Sequence, residues 1–132
     1  MRRAVEAWWQ AACEDRDVAQ LAAASGHLAP AAFHCQQAAE KALKALLLVH
    51  NVEAREHSLV ELLDYVRAQA RIEPPPEILT AARKLDPHYI QARYPGPRGP
   101  APEALYDDVI AKEMIGCAAD LLRWVEPLLA RP

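Results

Sequence analysis

The sequence predicts an all-α fold: an up-and-down bundle of four to five helices, with a long proline-rich loop before the last one. Three observations predict it. Apolar residues make up 52% of the 132-residue chain but aromatics only 6%, and much of the apolar content is alanine. That composition suits closely packed helices better than a β-sandwich, which draws on Val, Ile, Tyr and Phe. Apolar residues also recur at intervals of three and four, with no strand-length alternation. Finally, prolines interrupt the chain where helices have to stop. The length suits a single domain, residues 1–132, able to bury a core.

The first helix is read from about Arg3 to Ser25, with Val5, Trp8, Trp9, Ala12, Ala19 and Ala22 at helical spacing and Gly26 ending it. Pro30 suits the first turn of the second helix, which runs to about His50, with Asn51 as its C-terminal cap. Ser58 and Glu61 have capping-box spacing at the start of the third helix, whose inner face is Leu59, Leu62, Leu63 and Val66. The run EPPPE forbids helix, and a short fourth helix follows from Glu77 to about Leu85, limited by Pro87. The stretch HYIQARYPGPRGPAP carries four prolines and reads as a long loop, a place where small domains tend to carry function. A last helix starts near Glu103, with Ile110, Met114, Cys117, Leu121, Trp124 and Leu128 as its core stripe.

The second helix, AAFHCQQAAEKALKALLLVH, is unusual. His34, Gln37, Lys41, Lys44 and Leu48 fall in one narrow arc, flanked by Phe33 and Leu47, while the opposite side is apolar. A thin polar seam with two lysines therefore runs along an otherwise buried helix. Either an anion sits between Lys41 and Lys44, or Glu40 pairs with Lys44 one turn away and water serves Lys41.

Net charge is −3, which argues against a general polyanion-binding surface. Residues 67–98 nonetheless carry Arg67, Arg71, Arg83, Lys84, Arg93 and Arg98 against Glu73, Glu77 and Asp86, a local +3 suited to an anion. Arg93-Tyr94 is a candidate for phosphate and base: a guanidinium holds phosphate through paired N–H groups, and a phenol ring stacks on a base. The alternative gives both residues packing roles. Cys13, Cys35 and Cys117 form no CxxC pair and read as reduced, buried thiols in a cytoplasmic protein. No His, Cys, Asp or Glu cluster has metal-ligand spacing, and neither a cofactor loop, a signal core nor a membrane-length apolar run is found.

QQAAEKALKALLL, the following HSLVELLDYV and the downstream LDPHYIQARYP resemble the HEPN domain, the higher-eukaryote and prokaryote nucleotide-binding family. The resemblance runs over essentially the whole chain. It implies a four- or five-helix bundle that often forms a homodimer. It also implies a separately encoded minimal nucleotidyltransferase as partner, in some cases as a toxin–antitoxin pair. In ribonuclease branches of the family an arginine precedes a histidine by a few residues. Here Arg83 and His88 have that spacing: Arg83 would stabilise charge on the phosphate and His88 would move a proton. A chain with this many arginines and histidines yields about one such spacing by chance. Lys84 stands where those branches carry a small polar residue, and Pro87 interrupts the intervening helix. The expected site residues are thus Lys41, Lys44, Arg93 and Tyr94 for a nucleotide, with Arg83 and His88 as the catalytic alternative. The adjacent Trp8 and Trp9 point about 100° apart, so one of them is expected at a subunit contact.

Overall fold

The computed structural model describes residues 2–130; Met1, Arg131 and Pro132, which the sequence reading assigns to the same domain, lie outside the described residues. Those residues form helices α1 (Arg3–Ala24), α2 (Leu28–Val49), α3 (Leu59–Tyr65), α4 (Pro76–Leu85), α5 (His88–Gln91) and α6 (Asp108–Val125), and no strand occurs among them. α1 and α2, 22 residues each, form the long hairpin on which the rest is assembled.

Both ends of that hairpin close by left-handed caps. At Gly26, φ is +81°, and the amides of Gly26 and His27 return to the carbonyls of Ala23 and Ala22. α2 ends the same way at Asn51, φ +60°, with Asn51 and Val52 donating to Leu48 and Leu47. These double closures satisfy carbonyls that a helix end otherwise leaves open. Gly and Asn are the residues that take this conformation at least cost.

α2 is the axis of the molecule, packed against α1, α3, α4, α5 and α6. Leu43, Leu46 and Leu47 are fully buried on it, as are Ala31, Ala32, Ala38, Ala39, Ala42 and Ala45. Each buried leucine contributes about 1.5–3 kcal/mol, and each alanine lets a neighbouring backbone come close. The apolar circumference of α2 is therefore covered within one chain. On α6 the deepest line is Ala111, Met114, Ala118, Leu121, Leu122 and Val125, whereas Ile110, Cys117 and Trp124 are half-buried at its edge and Leu128 lies beyond it in a 3₁₀ turn, Glu126–Ala130. The stripe read from the sequence shares Met114 and Leu121 with this line and is otherwise offset toward its edge.

Two connections differ from the sequence reading. α3 widens at its end into a π-helical turn, Val66–Ala70, closed by Arg71 at φ +58°. The segment read as one irregular loop instead begins with α5, and a 3₁₀ turn, Pro102–Leu105, stands where the last helix was expected to start. α6 then begins later than expected: Asp107 caps it, its Oδ1 accepting from the Ile110 amide at 2.8 Å.

The cap of α3 is shared. Ser58 Oγ accepts from the Glu61 amide at 3.3 Å, as its spacing predicts. The Leu59 and Val60 amides and the Ser58 hydroxyl all donate to Asp86, at 2.6, 3.2 and 3.0 Å. One carboxylate directly after α4 thus neutralises the positive end of α3, and this fixes where the chain enters α5.

Candidate functional site

The polar seam of α2 is built against two acidic side chains. Asp15 of α1 is 8% exposed, and its two oxygens meet Lys41 Nζ at 2.6 Å and His34 Nδ1 at 2.8 Å. Glu40, 4% exposed, meets Lys44 Nζ at 3.0 Å, Gln36 Nε2 at 3.2 Å and His57 Nδ1 at 3.2 Å. Gln37 donates to both Gln36 and Glu40. Lys44 also lies 5.7 Å from the ring centroid of Trp8. A buried carboxylate is tolerated only when paired and hydrogen-bonded, and both of these are. Each lysine therefore has a carboxylate of its own, Asp15 for Lys41 and Glu40 for Lys44.

Arg93 follows α5 and is held flat. Its Nε donates to the Tyr89 carbonyl at 2.7 Å. Its guanidinium carbon lies 4.6 Å from the Phe33 ring centroid, 4.4 Å from that of Tyr89 and 5.1 Å from that of Tyr94. Tyr89 stacks in turn on His57, centroids 4.5 Å apart and planes 15° apart, and Phe33 meets His34 edge-on at 5.3 Å. Arginine suits such stacking because its charge is planar and weakly hydrated. Among the described residues no carboxylate lies within 4 Å of Arg93. Its charge is therefore oriented by rings and left uncompensated. Tyr94 beside it is 55% exposed. A shallow hollow of about 180 Å³ lined by His57, Ser58, Asp86, Tyr89 and Ile90 adjoins the Tyr89 side of this group.

The candidate cations occupy different stations along α2. Phe33, under Arg93, precedes Lys41 by eight residues, roughly 12 Å of helix axis. They are linked through intermediates: Lys41 to Asp15, His34 and Phe33, and Lys44 to Glu40, His57 and Tyr89. The sequence reading passed over Phe33, His57 and Tyr89 as flanking or packing residues and did not single out Asp15, while its alternative pairing of Glu40 with Lys44 is the one formed. His57 and Tyr89 were visible within the family-like stretches. Asp15 carried no local signal, because its partners lie 19 and 26 positions away.

Arg83 and His88 are on different helices and in different surroundings. Arg83 is exposed on α4. His88 opens α5, is 7% exposed, and its Nδ1 lies 2.6 Å from the Tyr106 hydroxyl. Burial lowers the His88 pKa from its ordinary 6.5 and raises that of Tyr106. The intervening Asp86 is engaged at the cap of α3.

No group of three or more possible metal ligands occurs among the described residues, and no described helix is long and apolar enough to cross a membrane. All three cysteines are free; burial pushes the Cys35 thiol up to about 12, which leaves it inert as a nucleophile.

Solved structures resemble this chain over nearly all of its length. The family model for the HEPN domain matches residues 5–128. The crystal structure of TT1696 from Thermus thermophilus is 33% identical, covers 96% of this chain and 99% of that one, and superposes with a TM-score of 0.89. ST0689, an archaeal HEPN homologue, is 38% identical over 98% of this chain and 99% of its own, with a TM-score of 0.80. A HEPN domain protein of Thermotoga maritima, tm0613, is 29% identical over 95% and 98% of the two chains, with a TM-score of 0.77. Among curated proteins, the candidate toxin MJ1304 of Methanocaldococcus jannaschii is 28% identical over 89 residues, which span 64% of this chain and 59% of that protein. With this match over nearly every residue and an all-helical bundle of the same shape, the chain belongs to the HEPN domain family.

Proposed function

We propose that the chain is a nucleotide-binding interaction module whose phosphate-recognising group is Arg93. The observation that carries this reading is the Arg93 guanidinium, resting against both Phe33 and Tyr89 with its Nε on a backbone carbonyl. A cation fixed in that way loses little entropy when its terminal N–H groups take a phosphate. Tyr94 offers a ring for the base, and Arg98 lies five residues on in the same loop. Lys41 and Lys44 act behind this surface by holding Asp15 and Glu40, which set His34 and His57.

In this proposal the module works in the cytoplasm beside a separately encoded minimal nucleotidyltransferase, as one half of a toxin–antitoxin pair. Its likeness to the MJ1304 protein supports the toxin connection. Exposed Ile90, Leu105 and Val109 support a self-contact and hence a homodimer. Titration calorimetry with ATP, GTP and UTP tests the nucleotide site: binding that Arg93→Ala weakens supports it, and no heat with any of the three sinks it. Light scattering across a wide concentration range tests the dimer, which a constant monomeric mass contradicts.

The rival reading, a metal-independent ribonuclease acting through Arg83 and His88, also draws on the toxin relative. The geometry supports it less, because His88 turns toward Tyr106 inside the bundle while Arg83 faces solvent. Growth arrest on expression, relieved by His88→Ala at equal protein level, would favour it.

A further inference from the structure

A second concavity lies where the start of α1 meets the α2–α3 link. It holds about 380 Å³, and its walls include Trp8, Lys44, Leu48, Val52, Glu53 and Arg55. Neither Arg93 nor any ring it rests against lines this space. The volume is within the range of small-molecule sites.

Its lining combines an apolar wall with two cations of different kinds. The Lys44 side chain is only 10% exposed, and Glu40 accepts one of its three N–H bonds. That same carboxylate also serves Gln36, Gln37 and His57, so its hold on Lys44 is divided. Arg55 makes no ion pair among the described residues. Trp8 is 36% exposed, although an indole is a costly group to leave wet, and Leu48 and Val52 extend its apolar wall. The acids limit the charge of any ligand. Glu40 and Glu53 match the formal charge of Lys44 and Arg55, so the recess holds no surplus charge for a phosphate dianion. What stays open is the set of N–H donors on Lys44 and on Arg55, unpaired among the described residues, which suits one carboxylate.

We propose that this cavity binds a small, flat monocarboxylate, with its ring against Trp8 and its carboxylate on Lys44 and Arg55. The cavity shares no lining residue with the Arg93 surface, although Lys44 also holds Glu40 behind it, and the proposal does not rest on nucleotide binding there.

The test is NMR on the intact protein, with benzoate and indole-3-acetate as probes. The Trp8 indole N–H is assigned by its loss in Trp8→Phe and followed during titration. Both acids should shift it saturably while the Trp124 indole stays in place. Neutral benzamide should bind roughly tenfold more weakly, as should benzoate to Arg55→Gln, each lacking one charge-assisted contact. Arg55 is exposed, so its variant should keep the Trp9 and Trp124 signals of the folded chain. A shift that does not saturate, benzamide binding as well as benzoate, or unchanged affinity in Arg55→Gln would each overturn the proposal. So would ATP moving the Trp8 signal at lower concentration than benzoate, because the cavity would then belong to a nucleotide. Arg93→Ala should leave benzoate binding unchanged, which separates failure here from failure at Arg93.

Discussion

Lys41 of α2 and Asp15 of α1 meet at 2.6 Å across the central hairpin, and the same carboxylate holds His34 at 2.8 Å. Removing the acid leaves a lysine and a histidine facing one another without a counter-charge. Asp15→Ala should therefore destabilise the fold by about 2–4 kcal/mol. Lys41→Met should cost less, because the lysine side chain is 29% exposed and His34 still satisfies Asp15. Urea denaturation measures both; equal costs would mean that Asp15 does not organise the pair.

Asp86 takes the first amides of α3 although it lies just beyond α4. Asp86→Ala should cost about 1–2 kcal/mol, the ordinary loss of a helix cap. Amide exchange should quicken first in α3 rather than α4. Uniform loss across the chain would contradict the capping role.

His88 makes stability depend on pH. Its folded pKa lies below 6.5, so as pH falls the unfolded chain takes up this proton first. Its contribution is thus complete well above pH 6.5 and is lost as pH drops through 6.5 toward the folded value. The slope from this single proton is at most about 1.4 kcal/mol per pH unit. Wild type minus His88→Gln, compared by denaturation across that window, should show it. A difference independent of pH would mean that the imidazole is not held neutral.

Arg93→Ala separates binding from folding. If Arg93 grips a phosphate, nucleotide affinity should fall by roughly 1.5–3 kcal/mol. Stability should fall by less than about 1 kcal/mol, since the guanidinium is exposed and only its stacking on the rings is lost. Lost stability with unchanged affinity would make Arg93 structural.

The alanines of α2 set how closely its neighbours approach. Ala42 is fully buried, so Ala42→Leu should cost about 1–3 kcal/mol through overpacking, despite the good helix propensity of leucine. Thermal unfolding would show this, and an unchanged midpoint would mean that the bundle core is loosely fitted at this position.

What the sequence determined by itself is local. The ends of α1 and α2 and the start of α3 followed from Gly26, Asn51 and Ser58, because caps act within a few residues of chain, whereas α5 and the later start of α6 did not follow from the proline runs. The Lys44–Glu40 pair was legible for the same reason, being one turn apart. The family was legible because its motifs are contiguous. The tertiary structure decided the rest. It set Asp15 against Lys41 and His34, Asp86 at the head of α3, and Arg93 against Phe33 and Tyr89. The long-range pairs among these join positions tens of residues apart, with no periodicity that brings them together. The α6 stripe shows the same limit: Met114 and Leu121 were legible in it, while Ala111, Ala118, Leu122 and Val125 complete the buried line only because the packing against α2 and α4 covers them.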